Sequence, residues 1–222
     1  MRNAGKPARV AEEHSETVYT TDRAIDFIEE QGEQPWCLHL SYIKPHWPYI
    51  APAPYHALYG TEHVQAPIQP EHTSDHPVYQ AFRQHQESQN FSRDEVRLTV
   101  IPTYMGLIKQ IDDQLGRLFD FLQSAGRWDD TLIVFTSDHG DFLGDHFLGE
   151  KEFLLEPAVG VPLIVRDPRA SADISRGTVD ERLVETIDAL PTFLDALGLP
   201  AADHRLEGRS LIPLLQGEQP TW

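Results

Sequence analysis

The feature that most constrains the fold of this chain is an apolar run that ends abruptly at an acid and an imidazole. Residues 131–136 read Thr-Leu-Ile-Val-Phe-Thr, a β-branched composition that predicts a buried β-strand. Asp138 and His139 follow almost at once, and Gly140 then allows the backbone to turn sharply. Open α/β sheets bind their ligands beyond the carboxyl ends of the strands. We therefore expect Asp138 and His139 to lie at such a ligand-binding edge.

The residue types at this turn favour a metal site beside an anion. Carboxylate and neutral imidazole groups coordinate divalent cations, and Lys151, thirteen residues after Asp138, can hold an anion that the cation also binds. Taken singly, the groups have ordinary alternatives: an acid that caps a turn beside a surface histidine, and a solvated lysine between two glutamates. The same loop also carries Asp141, Asp145 and His146. This density of ionisable groups favours part of a metal-assisted site for an anionic ester.

A second candidate residue lies in a proline-rich loop that follows a predicted strand. Residues 36–42 alternate in side-chain character, which predicts a strand in which Cys37 packs as a small apolar side chain. Residues 44–48 then read Lys-Pro-His-Trp-Pro, and the two prolines fix the backbone around His46. A rigidly held imidazole suits a catalytic acid, although a histidine in such a loop is also a common packing residue. Lys44 either adds positive charge there or faces solvent.

The remaining elements follow from apolar spacing along the chain. We predict helices at about residues 17–31, 96–126 and 187–197, a second strand that begins just after Pro162, and a packing segment at 211–215. Thr20 and Thr21 are the candidate N-caps of the first helix, and Pro102 predicts that the regular part of the second helix begins near it. The alternation of helix and strand favours a layered α/β fold with a mostly parallel sheet.

Residues 60–95 form the segment with the least periodicity. They are rich in His, Gln, Pro and Glu, and a long irregular segment in a compact domain is usually an insertion, a binding loop or a lid. The histidines of this segment show no regular metal-ligand spacing, so we do not expect a structural zinc site there. They are His63, His72, His76 and His85.

Charge and composition restrict the classes of partner. The 222 residues carry a net charge of −17, which argues against nucleic acid and anionic membranes as partners. A small anionic substrate can bind such a chain only where a metal or local basic residues reverse the field. The sequence contains no apolar run of about 18 residues and no secretory signal pattern, so a cytoplasmic location is the default expectation. A periplasmic or secreted location stays open if preceding residues are missing.

Several segments, taken in order, resemble the sulfatase family of the alkaline phosphatase superfamily, in particular its arylsulfatase and phosphonate monoester hydrolase branch. The matching segments are residues 21–28, 40–48, 104–116, 136–140, 161–164 and 208–211. Together they cover nearly the whole chain apart from residues 60–95. The resemblance implies a layered α/β/α sandwich with a mostly parallel central sheet, incomplete in this chain.

The resemblance also implies roles for the candidate residues. Asp138 and His139 would be ligands of one divalent metal ion, Ca²⁺ or Mn²⁺, with Zn²⁺ as a further candidate. His46 would contact the transferred sulfuryl or phosphoryl group and assist the leaving group, and Lys151 would bridge the substrate and the leaving oxygen. The family's nucleophile is a formylglycine made from a Cys or Ser in the motif Cys/Ser-x-Pro/Ala-x-Arg.

The chain departs from the family at that nucleophile. Cys37 is followed by Leu-His-Leu-Ser, so the motif is absent, as are the family's N-terminal aspartate ligands. We therefore expect residues 1–222 to be part of a single sulfatase-type catalytic domain whose nucleophile half is missing, and the isolated chain to be inactive. The parent protein would hydrolyse small sulfate, phosphate or phosphonate monoesters. The alternatives are a phosphoryl or phosphoethanolamine transferase of the same superfamily and an inactive, truncated metal-binding module; a homo-oligomer of the full-length protein is left open.

Overall fold

The computed structural model describes residues 3–201 and 204–221, which fall into two compact units. The first unit takes the described residues of Met1–Ser124 together with Gly140–Gly160. The second takes the described residues of Ala125–His139 and Val161–Trp222. No helix in these described ranges is both long enough and apolar enough to cross a membrane.

The first unit is helical. Its α-helices are α1 (Glu16–Gln31), α2 (Pro77–Arg83), α3 (Gln86–Phe91), α4 (Asp94–Ser124) and α5 (Glu156–Val159). Short 3-10 turns lie at Glu12–His14, Tyr55–Ala57, Thr61–His63 and Asp145–Phe147. The long helix α4 contacts α1 and the Tyr55–Ala57 turn. The predicted helices at 17–31 and 96–126 are confirmed, with α4 beginning slightly earlier than expected.

Helix α1 begins before the predicted caps. Ser15 is its N-cap, and the Ser15 hydroxyl accepts a hydrogen bond from the Val18 amide at 3.4 Å. Thr20 and Thr21 lie inside the helix, where their hydroxyls donate to carbonyls one turn back. The prediction that one of these threonines is the cap is therefore wrong, because a threonine inside a helix can satisfy its hydroxyl on the preceding turn.

Helix α4 continues without interruption through Pro102, so the prediction that the regular helix starts near this residue is wrong. The fixed φ of proline suits a helix, and its cost is the lost hydrogen bond to the carbonyl of Leu98. Tertiary contacts on the buried face of α4 outweigh that cost. One of them requires a glycine: a Cβ at Gly106 would lie 2.1 Å from the Tyr55 carbonyl oxygen.

Residues 36–42 keep the predicted alternation but do not form a strand. Trp36, Leu38, Leu40 and Tyr42 are half-buried, whereas Cys37, His39 and Ser41 are exposed. No backbone hydrogen bond joins this segment to another described segment, and a strand exists only when a neighbour pairs with it. The predicted strand is therefore wrong for this chain, and so is the predicted packing of Cys37, which is exposed.

Residues 60–95 are more ordered than the sequence predicts. They contain the helices α2 and α3. Tyr79 and Phe82 of α2 pack against Phe153. These tertiary contacts stabilise helical structure that the local spacing of apolar residues does not predict. Residues 64–76 contain no helix or strand. A lid or insertion role for this segment stays a prediction.

The second unit contains a small sheet and short helices. Strands β1 (Ile133–Thr136) and β2 (Leu163–Arg166) pair antiparallel, with Ile133 opposite Arg166. Helices α6 (Ala189–Ala196) and α7 (Ile212–Leu215) follow, with 3-10 turns at Trp128–Asp130, Ala170–Ser175 and Thr186–Asp188. Both strands and the helix near 187–197 were expected at these places and are confirmed. Strand β1 is half-buried rather than buried, and the described residues contain no parallel strand pair.

The helices of the second unit are tied together by Asp188. The Asp188 carboxylate accepts hydrogen bonds from the Glu185 and Arg209 amides at 2.9 and 2.7 Å. The Thr192 hydroxyl donates to the Asp188 carbonyl and accepts from the Leu211 amide. These hydrogen bonds hold the segment at 208–211 against α6. The predicted packing segment at 211–215 begins at the end of this segment.

Candidate active site

The proline-rich loop that carries His46 is closed by a lysine. The Lys44 ammonium donates hydrogen bonds to the carbonyl oxygens of His46 and Pro48, at 3.2 and 3.0 Å. The Lys44–Pro45 and Trp47–Pro48 peptide bonds are cis. Burial lowers the pKa of Lys44, and the charge of Glu16 opposes that shift. Lys44 therefore takes a structural role that the sequence does not predict: its ammonium is partly buried and holds the loop.

Both ring nitrogens of His46 have partners, and these partners define where its proton sits. Nδ1 lies 2.9 Å from the Trp47 carbonyl oxygen, and Nε2 lies 2.7 Å from the Nζ atom of Lys151. A carbonyl oxygen can only accept, so Nδ1 carries the imidazole proton and Nε2 accepts from the lysine ammonium. The structure thus brings two of the sequence-predicted residues into direct contact, with the transferable proton on Lys151.

The loop that presents Lys151 has an unusual backbone. Four residues other than glycine adopt positive φ angles there: Leu143 (46°), His146 (55°), Phe147 (62°) and Glu150 (63°). Each such residue costs on the order of 1–3 kcal/mol and persists only where its surroundings enforce it. The fully buried side chains of Phe142 and Leu148 supply that enforcement. Strain of this kind clusters at functional sites, which supports a role for the loop.

Segments from residues 60–95 brace the same loop. The Tyr79 hydroxyl on α2 donates to the His146 carbonyl at 2.7 Å. The Asp145 carboxylate accepts from the Ile68 amide, and the His146 amide donates to the Ile68 carbonyl, both at 2.7 Å. The Phe153 ring contacts Tyr79 edge to face. Asp145 and His146, which the sequence groups with the candidate site, therefore anchor the neighbouring segment.

Tyr49 and Asp141 form a contact that the sequence does not reveal. The Tyr49 hydroxyl donates to Asp141 Oδ2 at 2.7 Å, and the Leu143 amide donates to Oδ1 at 3.0 Å. Burial raises the pKa of Asp141, while these two hydrogen bonds favour its charged form. Burial, and then the Asp141 charge, raises the pKa of Tyr49, so its hydroxyl remains a donor. The one available signal was the position of Tyr49 three residues after His46.

Asp138 and His139 lie at the end of β1 in the second unit, as the sequence predicts. Asp138 Oδ1 accepts from the His139 amide at 3.0 Å, and Oδ2 lies 3.5 Å from His139 Nε2. The Asp138 side chain is 85% exposed and that of His139 is 33% exposed. The Ser137 hydroxyl donates to the His139 carbonyl at 2.8 Å and stabilises the turn.

These two side chains fit a divalent cation as part of a ligand set. Metal–ligand distances of about 2.3–2.6 Å for Ca²⁺ place ligand atoms at neighbouring coordination positions roughly 3.3–3.7 Å apart, and tetrahedral Zn²⁺ places them roughly 3.4 Å apart. The Asp138 carboxylate oxygen and the His139 imidazole nitrogen are 3.5 Å apart. Within residues 3–201 and 204–221, no group of three or more potential ligands comes together. Asp138 and His139 would therefore supply two ligands, with the remainder from elsewhere.

Comparison with known proteins decides the family. The sulfatase family profile matches residues 4–199, most of the chain. The chain belongs to the sulfatase family. The family resemblance seen in the sequence is therefore confirmed.

The relatives and solved structures agree with this assignment. The chain is 38% identical over 232 residues to the multifunctional alkaline phosphatase superfamily protein PehA of Trinickia caryophylli, a match that covers 98% of the chain and 45% of that protein. It is 28% identical to an arylsulfatase of Clostridium perfringens, over 93% of the chain and 43% of that enzyme. A phosphonate monoester hydrolase of Silicibacter pomeroyi shares 35% identity and a TM-score of 0.88 over 99% of the chain and 45% of that structure.

The fold is the α/β fold of alkaline phosphatase-like sulfatases, present here as an incomplete α/β domain with a small sheet. The chain spans about half the length of the curated relatives it matches. The family generally uses a metal ion and a formylglycine; which residues of this sequence take part stays a prediction.

Proposed function

We propose that the protein containing this chain hydrolyses small sulfate, phosphate or phosphonate monoesters, and that this chain supplies the leaving-group residues and part of the metal site. The observation that carries the proposal is the 2.7 Å contact between Lys151 Nζ and His46 Nε2. It joins two residues 105 positions apart, both singled out by the family resemblance. Membership of the sulfatase family supports the same reaction class.

We assign a distinct role to each member of this pair. The Lys151 ammonium carries the proton, so it protonates the ester oxygen as the bond to sulfur or phosphorus breaks. The neutral His46 orients the ammonium through Nε2 and is itself held by the Trp47 carbonyl. The cationic Lys151 also provides local positive charge in a chain whose net charge is −17.

The metal and the nucleophile complete the proposal. Asp138 and His139 would hold one divalent cation, Ca²⁺ or Mn²⁺, with Zn²⁺ as a further candidate. When bound, such a cation stabilises charge on the transferred group as a Lewis acid. The formylglycine motif does not occur in these 222 residues, so the nucleophile would come from a segment outside them, and the chain alone should not turn over substrate.

The test compares two lysine variants in the complete protein. Lys151→Met should lower kcat for 4-nitrophenyl sulfate or phenyl 4-nitrophenylphosphonate by roughly 10²–10⁴-fold, the usual contribution of a positioned acid. Lys109→Met is the matched control, since Lys109 is a partly exposed lysine on α4 that pairs with Asp112 and Asp113. It should change kcat by less than about twofold. An equal effect of both variants, or no hydrolysis by the unaltered protein, would refute the proposal.

A further inference from the structure

The bond between Tyr49 and Asp141 joins the two loops that carry the candidate catalytic pair. Tyr49 lies three residues after His46, and Asp141 lies ten residues before Lys151. The joined residues are 92 positions apart, and their oxygens are 2.7 Å apart. We propose that Tyr49 and Asp141 are positioning residues that set the His46–Lys151 contact, an inference that rests on the proposed function for the roles of that pair.

The Tyr49–Asp141 hydrogen bond is one link in a closed ring of hydrogen bonds and short chain segments. On the other side of the ring, the Phe142 amide donates to the Glu150 carbonyl at 2.8 Å. Glu150 is bonded covalently to Lys151, whose ammonium contacts His46. Only short covalent segments separate these hydrogen bonds. Because the ring is closed, we expect loss of the Tyr49–Asp141 hydrogen bond to alter the separation of the Lys151 ammonium and the His46 imidazole.

The tyrosine is held rigidly enough to act as such a link. Its side chain is 6% exposed and lies in a cluster with Phe91, Val96 and Val100. The Phe91 ring meets it edge-on, with centroids 6.0 Å apart and an interplanar angle of 82°. A buried aromatic ring in such contacts has one rotamer, so its hydroxyl occupies one place. Because the Tyr49 hydroxyl has a fixed position, it also fixes the Asp141 carboxylate that accepts its hydrogen bond.

Asp141 uses both carboxylate oxygens for the same purpose. Oδ2 accepts from Tyr49, and Oδ1 accepts from the amide of Leu143, the first residue of the loop with positive φ. The carboxylate therefore fastens the strained loop at its start, next to the Phe142 amide. A side chain with a single acceptor could hold either the loop or the tyrosine, but not both in this geometry.

The test removes one hydroxyl and compares it with a matched tyrosine. Tyr49→Phe deletes the hydrogen bond and keeps the ring. Tyr55→Phe is the control, because Tyr55 is equally buried at 6% and its hydroxyl also contacts carboxylates, those of Glu12 and Asp113. The readout is the ¹⁵N spectrum of the His46 imidazole in the histidine-labelled complete protein. The signal is assigned with His46→Gln.

We expect both variants to lower the melting temperature by similar amounts, whereas only Tyr49→Phe should shift the Nε2 resonance of His46. An unchanged His46 spectrum in a folded Tyr49→Phe protein would overturn the proposal and leave Tyr49 a merely structural residue. If Tyr49→Phe does not fold, 3-fluorotyrosine at position 49 keeps the hydroxyl and alters its donor strength. The proposal then requires a His46 shift with the analogue at position 49 and none at position 55.

This experiment is independent of ester hydrolysis. A failure of the complete protein to hydrolyse any ester would refute the proposed function without changing the His46 spectrum. Conversely, an unresponsive His46 in an active protein would refute only the positioning role.

Discussion

Leu148 is the residue whose truncation should most clearly loosen the loop that carries Lys151. Its side chain is 0% exposed and packs in a cluster with Tyr79, Phe142 and Ala158. Leu148→Ala removes three carbon groups, worth roughly 2.4 kcal/mol at about 0.8 kcal/mol each. Incomplete collapse of the cavity raises the usual cost to about 3–5 kcal/mol.

The assay is amide hydrogen exchange read at residues whose hydrogen bonds close the loop. These are Phe142, which donates to the Glu150 carbonyl, and Gly144, which donates to the Leu148 carbonyl at 2.9 Å. In Leu148→Ala their opening free energy should fall by about 3 kcal/mol or to the limit of detection. Leu154→Ala is the control, because Leu154 is 92% exposed and should lose less than about 0.5 kcal/mol. Equal exchange in the two variants would refute the packing argument.

Three further predictions concern the frame of the first unit. Gly106→Ala should lower the free energy of unfolding several times more than an ordinary surface substitution does, because the new Cβ would lie 2.1 Å from the Tyr55 carbonyl oxygen. Chemical denaturation measures this free energy. Ser15→Ala should cost at least about 1 kcal/mol in the same assay, because the Ser15 hydroxyl caps α1 and also accepts a hydrogen bond from the buried Gln110 side chain at 2.9 Å. Thr20→Ala should cost little. Amides of residues 36–42 should exchange at nearly unprotected rates, and slow exchange there would contradict the absence of a paired strand.

The parts of the fold that the sequence predicts correctly are those set by local spacing. Helices α1, α4 and α6 and both strands lie close to their predicted places, because side-chain periodicity determines which face is buried. The errors arise where two local signals compete. Ser15 rather than Thr20 caps α1, and Pro102 is tolerated within α4 because tertiary packing offsets one lost hydrogen bond.

Strand pairing was not predictable, because it depends on partners elsewhere in the chain. The alternation of residues 36–42 correctly predicts which side chains are half-buried, yet no described segment pairs with them. Periodicity reports the two faces of an extended segment and carries no information about its edges. Periodicity also places Cys37 on the face opposite Trp36 without revealing whether anything packs on that face, and Cys37 is exposed.

In the candidate site, too, local motifs predict individual residues, whereas contacts between residues far apart in the sequence are seen only in the structure. The motifs around His46 and Lys151 single out both residues, and the structure places them in contact. The Tyr49–Asp141 bond was missed, because tyrosine is common and its partner lies 92 positions away. Only the folded backbone reveals that this bond joins the two loops.

The central claim, that Lys151 donates the proton to the leaving group, is tested most directly by the dependence of kcat on leaving-group acidity. Aryl sulfates or arylphosphonates of rising phenol pKa should be hydrolysed by the complete protein with a shallow dependence, since Lys151 supplies the proton. Lys151→Met should show a steep dependence, with its largest losses for the least acidic phenols. Parallel lines for the two proteins would contradict the account.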